Sequence, residues 1–285
     1  MKQILIIISV AISLYSCGSK SSASNTDTSN SPKNYVVLLD LSDRLINNPN
    51  QTDIDTSAIR AVFEKFEAAV RMHLVLKSKD KFSVRIIPQK SSKLPINDFE
   101  NSLTIDLGSY NAAQKLIKLN EFRDKLGATI KMLYQQAYLG NKSSDYFGVD
   151  IWQYFKEQIN TDIKDGYKNN IIVLTDGYFD FEDKNRGLTT ENQSTATTHL
   201  MTKLRNSNWK KIAEENEIGI IPVTLKPNVQ FVIAGIQSKK DDLMEASKLI
   251  YLWEKWLTQS GVKNVSTPFV NASSGKIKSL VKENL

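Results

Sequence analysis

Cysteine is nearly absent from this chain. The one thiol, Cys17, has no partner for an intramolecular disulfide. Histidine occurs only at His73 and His199, far apart, so no His/Cys group has the spacing of a zinc site. No Gly-x-Ser-x-Gly, P-loop or Gly-x-Gly-x-x-Gly signature appears, which removes the common routes to acyl transfer and nucleotide binding. Arginine forms no dense run, and aromatics do not alternate with basic residues. The net charge of +6, from 37 Lys+Arg against 31 Asp+Glu, therefore reads as lysines scattered over a solvated surface, and no nucleic-acid partner is expected. No apolar run is long enough to cross a bilayer.

What is present begins with a targeting segment. Met1-Lys2-Gln3 supplies a small basic start, and Ile4–Leu14 is a short apolar core. Leu14, Ser16 and Cys17 then follow in the order of a bacterial lipobox, which they resemble. The expectation is a lipoprotein signal peptide over 1–17 ending at a lipidated Cys17. Residues 18–33, rich in Ser, Asn, Thr and Lys, read as a flexible tether, and 34–285 as one domain. Such a chain sits in the cell envelope, touching the membrane through its anchor. Gly18 and Ser19 lack the acidic residue linked to inner-membrane retention, so the outer membrane is preferred.

Beyond the tether, helical and strand patterns alternate. Tyr35–Leu39 is a continuous apolar run, as in a strand buried on both faces. Thr52, Asp53 and Asp55 are candidate caps for a helix whose apolar stripe runs Ile59, Val62, Phe63, Phe66, Val70 and Leu74. Phe82–Pro88 is a strand and Ser102–Leu107 an edge strand. Ala112–Leu139 and Asp150–Ile163 are helical, with Gly127 a candidate break. Asn170–Asp176, NIIVLTD, is again unalternated and ends on aspartate. After a polar stretch, Gly177–Thr198, the pattern gives a helix over Leu200–Glu215 and strands over Ile218–Leu225 and Val229–Ile236. A helix over Asp241–Leu257 and a strand over Val262–Val270 complete it. This alternation predicts an α/β fold with a doubly wound, mostly parallel sheet flanked by helices.

Ligands of such sheets bind at the carboxyl ends of the strands. Two strands end there in acid, at Asp40 in DLSDR (Asp40–Arg44) and at Asp176 in LTDGY (Leu174–Tyr178). These motifs resemble those of von Willebrand factor A (vWA) domains, whose metal-ion-dependent adhesion site uses Asp-x-Ser-x-Ser, a Thr on a second loop and an Asp in Thr-Asp-Gly. Asp40 and Ser42 match the first loop and Asp176 the last, beside Thr175. Asp150, in FGVDIW (Phe147–Trp152), stands where the family has Thr. The resemblance implies Mg²⁺ or another divalent cation held by Asp40, Ser42, Asp150 and Asp176, and a protein partner whose acidic side chain completes the coordination. Two positions depart from it: Asp150, and Arg44 at the place of the family's second serine. Like charges this close need a cation, so the site holds either a metal or Arg44, and Asp43 offers Arg44 a second partner.

Other features are read more simply. Asp40, Asp150 and Asp176 are also good turn or helix caps. Trp253 and Trp256 fit a helix core or rim, and His73 the edge of a helix face. Tyr178, Phe179 and Phe181, beside Asp180, Glu182 and Asp183, give either an exposed recognition surface or a hairpin packing its own aromatics. The alternative function is a haloacid-dehalogenase-like phosphatase with Asp40 as nucleophile and Asp241-Asp242 as the late acidic pair. There, Ser42 occupies the position of the usual general acid.

Overall fold

A computed structural model describes residues 31–89, 92–181, 187–239, 244–270 and 273–285, with the backbone alone for 267–270. The proposed signal peptide, Cys17 and nearly all of the tether lie outside the described residues, as do Glu182, Asp183, Asp241 and Asp242.

Six strands form the main sheet: β1 (Lys33–Leu39), β2 (Lys81–Ile86), β3 (Thr104–Asp106), β4 (Lys168–Leu174), β7 (Val229–Ile236) and β8 (Asn264–Val270), in the order β3-β2-β1-β4-β7-β8. All pair in parallel except the edge strand β3. A separate pair, β5 (Gln193–Ser194) with β6 (Gly219–Ile220), lies outside it. The strand order reverses between β1 and β4, which is the switch point of an open α/β sheet. β1 and β4 are therefore flanked on both edges and covered on both faces, which is why their sequences are uninterrupted runs of Val, Leu and Ile.

Alternation along β1 sends its residues into two cores. Tyr35, Val37 and Leu39 join one with α2 (Gln51–Met72), α4 (Ala112–Ala137) and α10 (Ser274–Asn284). Val36 and Leu38 join the other with α5 (Ile151–Glu157), α7 (Thr197–Lys203), α8 (Trp209–Glu215) and α9 (Glu245–Gln259). Short helices α1 (Arg44–Asn47), α3 (Ile96–Ser102) and α6 (Ile159–Asp162) fill connections. The α/β architecture read from the sequence is thus the one observed.

Local boundaries differ for identifiable reasons. α2 starts at Gln51, so Asp55 lies inside the helix rather than capping it. The Leu200–Glu215 segment is two helices, because Asn206 takes the amide of Asn208 on its side chain at 2.9 Å and turns the chain. Ile218–Leu225 keeps only β6, since Pro222 removes a donor from the ladder. Asp150–Ile163 divides at Gln158. α4 runs through Gly127 unbroken; a Cβ there would meet the Arg60 guanidinium at 2.6 Å. α10 has no counterpart in the sequence-based expectations.

The aromatic loop packs inward. Tyr178 and Phe179 are buried, with Phe179 centred 4.5 Å from the Trp253 ring and 4.8 Å from Trp256. Trp253 Nε1 donates to the Gly177 carbonyl at 2.9 Å, tying α9 to the loop that carries Asp176. These two aromatics are core, so the exposed-surface option does not hold for them. Phe179→Ala is expected to destabilise the domain by about 3 kcal/mol, read as a lower midpoint in urea unfolding followed by tryptophan fluorescence.

Candidate functional site

The chain leaves β1 at Asp40 and β4 at Thr175, side by side at the switch point. Asp40 is almost fully buried. Its Oδ1 accepts from the Ser42 amide at 2.9 Å and its Oδ2 from the Thr175 hydroxyl at 2.8 Å. Thr175 Oγ1 in turn accepts from the Gly177 amide at 3.0 Å, and Asp176 Oδ1 from the Tyr178 amide at 3.3 Å. Each loop thereby folds around its own acid, which is the local role that Asp and Thr favour at strand ends.

Arg44 faces inward and is 1% exposed. Its partner is neither Asp43 nor the carboxylate of Asp40 or Asp176. The guanidinium forks onto Asp55 at 2.7 and 3.0 Å, and Nη1 also reaches the Asp40 carbonyl at 3.1 Å. Gln51 and Tyr134 complete the Asp55 carboxylate at 2.9 and 2.7 Å. Burial opposes the Arg44 charge, but Asp55 and then Asp40 outweigh it, and its pKa rises above the ordinary value. Space for the guanidinium comes from Gly235, at φ +98°. A Cβ there would stand 2.9 Å from the Thr175 carbonyl and 3.1 Å from Arg44 Nη2, at a φ that other residues adopt only under strain.

The cation beside Asp176 is Lys239, a residue that the sequence motifs did not single out. Its Nζ lies 3.1 Å from Asp176 Oδ2 and 2.7 Å from Asp43 Oδ1, and 4.8 Å over the Tyr178 ring. Burial opposes the Lys239 charge, yet Asp176 and Asp43 raise its pKa overall. The available signal was position: Ser238-Lys239 follows β7, the neighbour of β4, at the same end of the sheet. Around this pair lies a cleft of about 280 Å³ lined by Asp43, Arg44, Asn47, Asp176, Gln237 and Lys239 among others.

The expected metal ligands are thus partly assembled. Asp40, Ser42, Thr175 and Asp176 meet at the switch point, and Asp176 feels the charge of Asp40. Asp150 instead caps α5, accepting from the Gln153 amide at 3.0 Å. Among the described residues no three His, Cys, Asp or Glu side chains are grouped so that they could hold a metal ion. Mg²⁺ needs an octahedron of oxygens. Here Arg44 stands at one ligand position of the motif, and an ammonium already lies on Asp176. This donor set does not fit a resident divalent ion. Asp40 as a phosphatase nucleophile fits no better, since both its oxygens are held and it is 1% exposed.

No family model matches the chain, and no curated protein matches it. Solved structures similar to it include the pilus adhesin SpaC from Lactobacillus rhamnosus GG. Its open conformation gives a TM-score of 0.41 at 10% identity, covering 89% of this chain and 29% of SpaC. A second form of SpaC gives 0.43 at 10%, covering 89% and 30%. Proximal thread matrix protein 1 from the mussel byssus, described with a zinc-occupied MIDAS motif, gives 0.37 at 13%, covering 89% and 47%. The chain spans under a third of SpaC and about half of the mussel protein. At these scores the architecture of this chain rests on its own strand order.

Two outcomes test the site's electrostatics. Arg44→Met leaves Asp55 buried without its cation and is expected to cost about 3–5 kcal/mol, much of it recovered in Arg44→Met/Asp55→Leu; a double-mutant cycle in denaturant measures this. Asp176 is also pH-sensitive. Burial first, then Asp40, raise its pKa from 3.8 to about 6. A carboxyl whose folded pKa lies above its unfolded value binds its proton more tightly when folded. Its contribution therefore favours folding below about pH 4 and declines as pH rises toward 6. Asp176→Asn should flatten that part of the stability–pH curve.

Proposed function

We propose that this is a cell-envelope protein, anchored through Cys17, whose domain is vWA-like and binds a protein partner at the cleft between the β1 and β4 loops. The observation that carries the reading is the pairing of DLSD and TDG at the switch point, at the ends of the neighbouring parallel strands β1 and β4, joined by the Thr175–Asp40 bond. In this reading the cleft's cation belongs to the protein. Lys239 takes the place a divalent ion would have beside Asp176, and the partner meets a polar cleft carrying Asp43, Lys239, Asn47 and Gln237. The outcome in this reading is binding rather than turnover, since the two acids at the switch point, Asp40 and Asp176, are both already engaged.

Partner recovery and metal response test this together. Lys239→Ala should abolish co-purification of the partner from envelope extracts while the domain stays folded. Titration with Mg²⁺ or Mn²⁺ should leave the melting temperature unchanged. A saturable rise would instead mean that metal binds the native state, and would restore the metal-dependent version. Phosphatase turnover that disappears in Asp40→Asn would overturn the binding reading altogether.

A further inference from the structure

The end of the sheet opposite the cleft has its own chemistry. β1, β2 and β4 each begin with lysine, and the strand registers set Lys33 beside Lys168 and place Lys81 next to Asn34. Lys79 packs near Gly108 and Tyr167 on the same rim, and Lys33 feels the charge of Lys168, then that of Asp80, which opposes it, and that of Lys65. Exposed Arg71 and Lys77 border it. Among the described residues none of these seven side chains has an ion-pair partner, whereas Lys164 nearby is neutralised by Asp106 at 2.5 Å. The lysines that look scattered in sequence are gathered by the fold.

Apolar side chains stand out of the same rim. Met72, Leu74 and Leu76, in the turn that closes α2, are 69%, 60% and 58% exposed. This turn is fixed to the rim by the Lys33 amide, which donates to Asp80 Oδ1 at 2.6 Å. Lys115 Nζ donates to the Ser78 carbonyl at 2.7 Å and brings the start of α4 alongside, where Leu116 and Ile117 are exposed as well. Five of the ten exposed large apolar residues described are therefore on these two segments. Leu74 has φ +60°, at the position after a helix where glycine is usual. A leucine there carries backbone strain and gains no burial in return.

We propose that this rim is a membrane-contact surface for anionic lipid, with Leu74 and its apolar neighbours entering the headgroup layer and the lysines holding phosphate groups. Exposed apolar residues ringed by unpaired cations match that surface in both its properties. Chain entry is on the same side: β1 starts on this rim at Lys33. The geometry turns the cleft away from the bilayer. This orientation rests on the envelope-anchored reading above; the lipid affinity of the rim does not.

The test uses the full chain reconstituted into phosphatidylcholine vesicles with or without phosphatidylglycerol. An environment-sensitive fluorophore is placed at Leu74→Cys, or at Ser144→Cys near the cleft. With Cys17 blocked by lipid, each label is unique. The expected result is blue-shifted emission, and quenching by spin-labelled lipid, at position 74 only and on phosphatidylglycerol vesicles only. Lys77→Glu with Lys79→Glu should abolish both signals. Water-like emission at 74 on both vesicle types overturns the proposal, as does a shift that needs added envelope proteins or nucleic acid. Failure of the anchor reads out separately: mass spectrometry of the wild-type chain would show an unmodified Cys17. Vesicles added from outside would then still report on position 74 against wild-type chain labelled at Cys17 alone.

Discussion

The bidentate pair between Arg44 and Asp55 is the constraint on which the switch point depends. Removing two charges from water costs several kcal/mol per ion unless each is matched and its remaining donors and acceptors are filled. Here Gln51 and Tyr134 fill Asp55 and the Asp40 carbonyl takes another guanidinium hydrogen, while Arg44 Nε is left without an acceptor. The pair pins the start of α2 and the side chain of α4's Tyr134 beneath the first loop. Asp40 can then stay buried, with its oxygens held by Ser42 and Thr175, because a positive charge lies against it. Gly235 is part of the same arrangement, for any side chain there would displace the guanidinium.

A second cation divides the site's labour. Arg44 serves the interior, while Lys239, about one-third exposed, lies across Asp176 and Asp43 at the mouth of the cleft. A mobile ammonium on a flexible stem is easier to displace or share with an incoming group than a buried guanidinium fork. The cleft thus combines a rigid floor with an adjustable charge at its entrance, a combination suited to recognising a polar surface.

The two ends of the parallel sheet are chemically opposed. All five parallel strands point the same way, so their carboxyl ends collect Asp40 and Asp176 and their amino ends collect Lys33, Lys81 and Lys168. Parallel topology converts a residue's place at the start or end of a strand into a place on one pole of the molecule. In the proposed reading, this polarity lets one end of the domain face the bilayer and the other a partner.

Much of this was legible in one dimension. Unalternated runs such as VVLL and IIVL identify strands covered on both faces, the helical stripes place the flanking layers, and acids at two strand ends locate the site. These features depend on local periodicity and on the rule that ligands meet strand carboxyl ends. Pairing across the chain was not legible. Arg44 finds Asp55 because α2 begins earlier than its apolar stripe suggests. Lys239 reaches Asp176 across 63 positions of sequence, because β7 lies beside β4. The lysines of the lower rim read as scattered because their neighbourhood is a matter of strand register. Sequence determined which segments are buried and where the acids emerge. Only the tertiary structure decided which cation answers each acid, because that choice follows from distances between side chains on different elements.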